Sequence, residues 1–186
     1  MQVATGRTDS LAIGAVRSLQ DARFEEATAE YGAALARLAR AYEPDPDKRK
    51  DLLQEILIAL WRSFAAFDER CSTRTWVYRV AHNVATSKVL RRRTTPLVSL
   101  DEVAARPGEM HDERTLDRQL ALDRLLSLVQ TLEPVDRRVI LLYLEGVDAA
   151  SIGEITGLSA RNVATKIHRI KQVLAKRFHE GPTHGR

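Results

Sequence analysis

The chain has 186 residues, enough for one elongated domain or two small ones, and two compact modules fit best. Its residues are 44% hydrophobic, 29% charged and 5% aromatic, with 9 Gly and 6 Pro, which excludes collagen-like, low-complexity and wholly disordered chains. The net charge of +4 is unevenly placed: residues 74–93 carry Arg74, Arg79, Lys88, Arg91, Arg92 and Arg93 with no acid, residues 159–186 are similarly basic against Glu180 alone, and the rest is acidic; two cationic blocks on an acidic body point to a polyanion, nucleic acid first.

Apolar periodicity near 3.6 recurs throughout and no stretch alternates like a strand, so an all-α chain is expected. Residues 1–18 hold few large apolar groups and no clear cap and read as a flexible or weakly helical N-terminal extension. Asp9, Arg17 and Asp21 break any secretory-signal order, and apolar runs such as Ile56–Leu60 and Val139–Leu142 fall far short of a bilayer span. Cys71, the single cysteine, has no partner for a disulfide and no thiolate cluster for zinc. A cytoplasmic protein without membrane association is expected.

The first helix is expected over Leu19–Tyr42, stopped by Pro44 and Pro46, and the second over about Asp47–Phe64. In the second, Leu52, Leu53, Ile56, Leu57, Leu60, Trp61 and Phe64 form one buried stripe. Its opposite face carries Asp51, Glu55, Ile58 and Arg62 with Gln54 beside them, an apolar residue set among charges where water is expected. Phe67–Thr75 reads as a loop, with Ser72 or Thr75 capping a third helix that runs to about Arg93. There Trp76, Val77, Val80, Ala81 and Val84 face inward, and Arg79, His82, Asn83 and Thr86 line the polar side, placing His82 at the surface or toward DNA. Residues 94–115, with Pro96, Pro107, Gly108 and several acids, are expected to be a flexible linker.

The second module, residues 116–180, opens with an amphipathic helix marked by Leu122, Leu125, Leu126, Val129 and Leu132. Pro134 begins a new helix to Leu144, closed by Gly146. Asp148 caps Ala149–Thr156, Gly157 supplies a left-handed exit, and Ser159 caps a last helix from Ala160 to about Phe178, before a tail at 181–186. Short helix, glycine turn and basic helix match a helix-turn-helix. Ile152, Ile155, Leu158, Val163 and Ile167 can pack the pair together, leaving Arg161, Asn162, Thr165, Lys166, His168 and Arg169 outward for base edges or phosphates.

Asp51-Leu-Leu-Gln-Glu55, Leu60-Trp61, Phe67, the run Thr75-Trp-Val-Tyr-Arg-Val-Ala-His-Asn83, and Asn162-Val-Ala-Thr-Lys-Ile-His-Arg169 together resemble sigma-70 family initiation factors, in particular the small extracytoplasmic function group. The resemblance covers residues 20–178 and implies two small helical domains, region two at 19–93 and region four at 116–180, with no enzymatic activity, metal or cofactor. It implies that Asp51, Gln54, Glu55 and Ile58 meet the clamp helices of the RNA polymerase largest subunit, and that region four lies on the flap of the second largest. It places Cys71, Ser72, Thr73, Arg74, Arg79, Asn83, Arg91, Arg92 and Arg93 on the minus-ten promoter element, with Asp68–Arg74 as the base-capturing loop. It places Arg161, Asn162, Thr165, Lys166, His168 and Arg169 on the minus-thirty-five element. An anti-sigma factor is a further partner implied by the group. Two departures stand out: the loop lacks the aromatic residue common among relatives, and Ala164 stands where a basic residue is common.

An enzyme is disfavoured by the absence from the sequence of a glycine-rich phosphate loop, a His-Glu-x-x-His motif or a nucleophile elbow. The remaining rival is a conventional dimeric helix-turn-helix regulator.

Overall fold

A computed structural model describes residues 5–94 and 113–179, with side chains described over 17–91 and 120–179. All regular elements among the described residues are helical. α1 spans Thr5–Tyr42, α2 Pro46–Ser63 with a short 3-10 turn at Phe64–Ala66, and α3 Thr73–Thr94. α4 spans Glu113–Gln130, α5 Pro134–Leu144, α6 Ala149–Thr156 and α7 Ala160–His179. None of these helices is long and apolar enough to cross a membrane.

The main difference from the sequence reading is at the N-terminus, where α1 begins at Thr5 rather than near Leu19. Extending a formed helix costs little per residue when no proline or glycine pair interrupts it. Elsewhere local chemistry sets the boundaries. Asp45 accepts hydrogen bonds from the Asp47 and Lys48 amides at 2.9 and 3.2 Å, and Pro46 occupies the first turn of α2. Ser72 Oγ accepts the Thr75 amide at 3.1 Å and so caps α3. Helices α1, α2 and α3 bury Leu35, Leu38, Leu52, Ile56, Leu60, Phe64, Val77 and Tyr78 between them. Trp61 Nε1 donates to Asp21 at 2.8 Å, and Gln20 donates to the Trp61 carbonyl at 2.7 Å, tying α1 to α2. Trp76 donates to Ser63 Oγ at 2.9 Å with its ring 5.1 Å from that of Phe67, so it belongs to the core.

Helices α4 to α7 form a second bundle around Val129, Val139, Leu142, Ile152, Val163 and Ile170, all at most 2% exposed. Asp148 caps α6 by accepting the Ala150 and Ser151 amides, each at 3.0 Å. Gly157 takes φ +78°, the left-handed exit that a side chain disfavours. A Cβ on Gly153 would stand 2.6 Å from the Leu158 carbonyl oxygen, so glycine lets α6 lie directly against the turn. Ser159 Oγ accepts the Asn162 amide at 3.3 Å at the start of α7.

The bundles meet along one side. Arg37 of α1 donates from Nε and Nη2 to the two carboxylate oxygens of Glu145 at 2.8 and 2.6 Å. Arg74 donates to the Glu145 carbonyl at 2.5 Å, Arg138 donates to Asn83 Oδ1 at 2.9 Å, and Arg40 pairs with Asp123. The Arg137 guanidinium lies 5.5 Å from the Tyr42 ring centroid.

This junction corrects the expected place of His82. It is 1% exposed and its Nδ1 lies 3.0 Å from the Tyr42 hydroxyl, because Tyr42 of α1 covers the face of α3 that periodicity alone marks as polar. Burial, with the Arg138 charge added, pushes the imidazole from 6.5 down to about 3. The folded chain therefore holds His82 neutral where the unfolded chain protonates it. The stability this residue contributes is fully present above pH 6.5 and is lost as pH falls from there toward about 3. In urea unfolding the His82 contribution is expected to approach about 1.4 kcal/mol per pH unit below pH 6. His82→Gln is expected to flatten the profile between pH 6.5 and 5; equal slopes in both chains would contradict this.

Candidate polymerase and promoter interfaces

On α2, the residues Asp51, Gln54, Glu55 and Ile58 are all exposed, Ile58 at 43%. Leu52, Ile56 and Leu60 are buried on the opposite face, so packing holds this outer face in a fixed orientation. Glu55 pairs across to α3, accepting from Lys88 at 2.9 Å with Arg91 at 4.0 Å, rather than with Arg62 on its own helix. The surface therefore combines a carboxylate, an apolar side chain and the cationic end of α3. Arg91 thus stands near the α2 face, while the side chains of Arg92 and Arg93 lie outside the described residues.

The loop that leads into α3 is shaped by partners the sequence did not announce. Glu69 takes φ +61°, a left-handed conformation costing a non-glycine residue roughly 1–2 kcal/mol. Arg23 of α1 pairs with Glu69, donates to the Phe67 carbonyl at 3.2 Å and lies 5.4 Å from the Phe67 ring centroid, fixing the loop from below. Arg70 pairs with Asp68 at 2.9 Å. Cys71 is half-buried against the core, Ser72 serves as the helix cap, and Thr73 and Arg74 are exposed.

Arg79 and Asn83 follow four residues apart on α3, which puts them on one face. In the observed arrangement that face is partly covered. Asn83 is bonded to Arg138, and the Nε atoms of Arg79 and Arg138 are buried without a hydrogen-bond partner among the described residues. Burial lowers the Arg138 pKa and the Arg79 charge lowers it further, against the partial support of Tyr42. The Arg79 and Arg138 charges therefore oppose one another at the junction.

On α7, Arg161, Asn162, Thr165, His168 and Arg169 are exposed and recur at helical spacing along one face, opposite buried Val163, Ile170 and Leu174. Thr165 Oγ1 donates to the Arg161 carbonyl at 3.0 Å and His168 Nε2 lies 3.0 Å from Gln172 Nε2. Lys166 differs from the others. It is half-buried at the edge of the face, and its Nζ donates to Asp136 of α5 at 2.6 Å, while Arg169 donates to the other oxygen of the same carboxylate at 2.9 Å. The arrangement can present hydrogen-bond donors, acceptors and positive charge to a groove without rearrangement within the bundle.

Arg23, Asp136, Arg138 and Glu145 were invisible to the sequence reading. Each acts through a partner distant in the chain, and no local pattern marks an arginine or acid for such a partner.

Comparison with known proteins places both bundles. The family model described as Sigma-70 region 2 matches residues 28–95, and that described as Sigma-70, region 4 matches residues 122–174. The chain is 30% identical over 143 residues to the ECF RNA polymerase sigma factor SigW of Bacillus subtilis, covering 70% of this chain and 75% of SigW. It is 26% identical over 161 residues to the RNA polymerase sigma factor CnrH of Cupriavidus metallidurans, covering 82% and 84% respectively. The fold is similar to that of CnrH solved in complex with the cytosolic domain of CnrY, with TM-score 0.62 at 23% identity, covering 86% of this chain and 94% of that one. It is similar also to the sigma factor RpoE in complex with the anti-sigma factor NepR from Bartonella quintana, with TM-score 0.66 at 18% identity, covering 86% and 98%.

Proposed function

We propose, from the premise that this chain belongs to the extracytoplasmic function group of the sigma-70 family, a division of labour between its surfaces. As a sigma factor it directs RNA polymerase to promoters, and the polymerase performs the catalysis. Residues 19–93 act as region two and residues 116–180 as region four, joined by 94–115. Asp51, Gln54, Glu55 and Ile58 dock on the clamp helices of the polymerase largest subunit, and region four rests on the flap of the second largest. Arg74, Arg79 and Asn83 grip the minus-ten element, with the Asp68–Arg74 loop receiving an unpaired base; its preset backbone offsets part of the few kcal/mol that flipping a base costs. Arg161, Asn162, Thr165, Lys166, His168 and Arg169 read and hold the minus-thirty-five element. The protein works in the cytoplasm, where polymerase and promoter are.

The observation that carries this reading is an exposed acidic and apolar face on α2 together with an exposed polar and basic face on α7, one on each bundle. A dimeric regulator needs no such α2 face. Promoter engagement also requires the bundles to part, since Arg138 and Glu145 hold Asn83 and Arg74 in the observed arrangement. An anti-sigma factor is a fitting regulator, as one of the solved relatives is a complex with such a protein. Promoter-dependent transcription by purified core polymerase tests the function as a whole.

A further inference from the structure

We infer that Asp136 is a positioning residue for promoter recognition: one carboxylate on α5 sets the head groups of both Lys166 and Arg169 on α7, and sequence discrimination depends on it although it does not itself bind DNA. This rests on the reading of α7 as the minus-thirty-five helix. Asp136 stands in the first turn of α5 with its side chain 13% exposed. Each oxygen has its own cation, Lys166 on Oδ1 at 2.6 Å and Arg169 on Oδ2 at 2.9 Å. Burial pulls the carboxyl up, and the hydrogen bonds and charges of Lys166 and Arg169 outweigh it and hold the group below its ordinary value.

The geometry fits positioning rather than neutralisation. A cluster whose carboxylate is largely buried is a poor way to gain stability, because desolvation cancels part of the attraction. Here one acid faces two bases, so a positive charge is left over. Lys166 uses one of its three donors and Arg169 one of its five, so both keep N–H groups for DNA. The Arg169 side chain remains 65% exposed and the Lys166 side chain 29%, so both keep a path to solvent. Long flexible side chains lose rotamer freedom on binding, and a tether applied before DNA arrives lowers that cost for the matching sequence only. The same carboxylate repels phosphates, so it also weakens binding to any duplex that offers charge alone.

The test uses the full chain assembled with core polymerase. Two duplex probes are compared: one carrying the minus-thirty-five element that wild-type holoenzyme selects from a randomised pool, and the same duplex with that element scrambled. Asp136→Asn is expected to lower the ratio of the two affinities about tenfold, with binding to the scrambled duplex unchanged or tighter. Asp136→Glu keeps the charge, shifts both head groups by one methylene, and is expected to give an intermediate ratio; it decides the matter alone if Asp136→Asn does not fold. A wild-type ratio in the folded variants, or equal weakening on both duplexes with a lowered melting temperature, would overturn the inference while leaving α7 as the reading helix. A wild-type holoenzyme that does not distinguish the duplexes would overturn the reading of α7 and the inference with it.

Discussion

Glu55→Lys is expected to abolish binding to core polymerase, lowering affinity at least a hundredfold, while leaving the helices intact. The Glu55 carboxylate is 44% exposed and its partner Lys88 16% exposed, so losing the pair is expected to lower stability, while the buried Leu52, Ile56 and Leu60 keep α2 in place. The substitution adds an ammonium beside Lys88 and Arg91, turning a mixed face into a cationic one. At a desolvated interface, removing a paired charge costs about 2–5 kcal/mol, and reversing it adds repulsion. Circular dichroism and melting temperature report on the fold, and a labelled core polymerase titration reports on docking. Near-wild-type affinity would remove α2 from the polymerase interface. Glu55→Gln keeps the shape without the charge and is expected to fall between the two.

Glu145→Lys is expected to separate the two bundles. Glu145 receives Arg37 through two hydrogen bonds on its side chain and Arg74 on its carbonyl, and its side chain is 19% exposed. The Glu145 partner holds the Arg37 guanidinium above its usual value despite some burial. Reversal sets a third cation between Arg37 and Arg74 in a junction that also holds Arg79 and Arg138. Charge-assisted hydrogen bonds contribute about 1.5–3 kcal/mol each when well made, so the closed population is expected to fall at least tenfold. Small-angle scattering of the isolated chain is expected to show a larger radius of gyration at unchanged helical content. Promoter binding by the free chain is expected to rise in step, since Asn83 and Arg74 are released. An unchanged scattering curve would show that Glu145 does not hold the bundles together.

The second bundle was the more legible in sequence because its punctuation is local. Pro134, Asp148, Gly157 and Ser159 each act within a few residues, and the helices begin and end beside them. The burial of Leu52, Ile56, Leu60 and Phe64 and the exposure of Ile58 follow likewise from period alone, while Leu53, Leu57 and Trp61 at the edges of the stripe are half-buried. Residues 5–18 hold few large apolar groups and no clear cap, so nothing local marks them as helix, whereas a helix anchored further along propagates through such a stretch. His82 misled because a polar helix face need not face water: Tyr42 covers it from a separate helix. Arg161, Asn162 and Thr165 are exposed, as their helical spacing predicts, but the capture of Lys166 and Arg169 by Asp136 joins residues about thirty positions apart. Periodicity within one helix carries no information about such a pair.

The most direct measurement is transcription in vitro by purified bacterial core polymerase, with and without this chain, on a library of promoter templates. Specific transcripts are expected only with the chain present, from templates sharing sequence blocks near minus thirty-five and minus ten, and absent with Glu55→Lys. A chain that neither joins core polymerase nor starts RNA synthesis on any template would contradict the account.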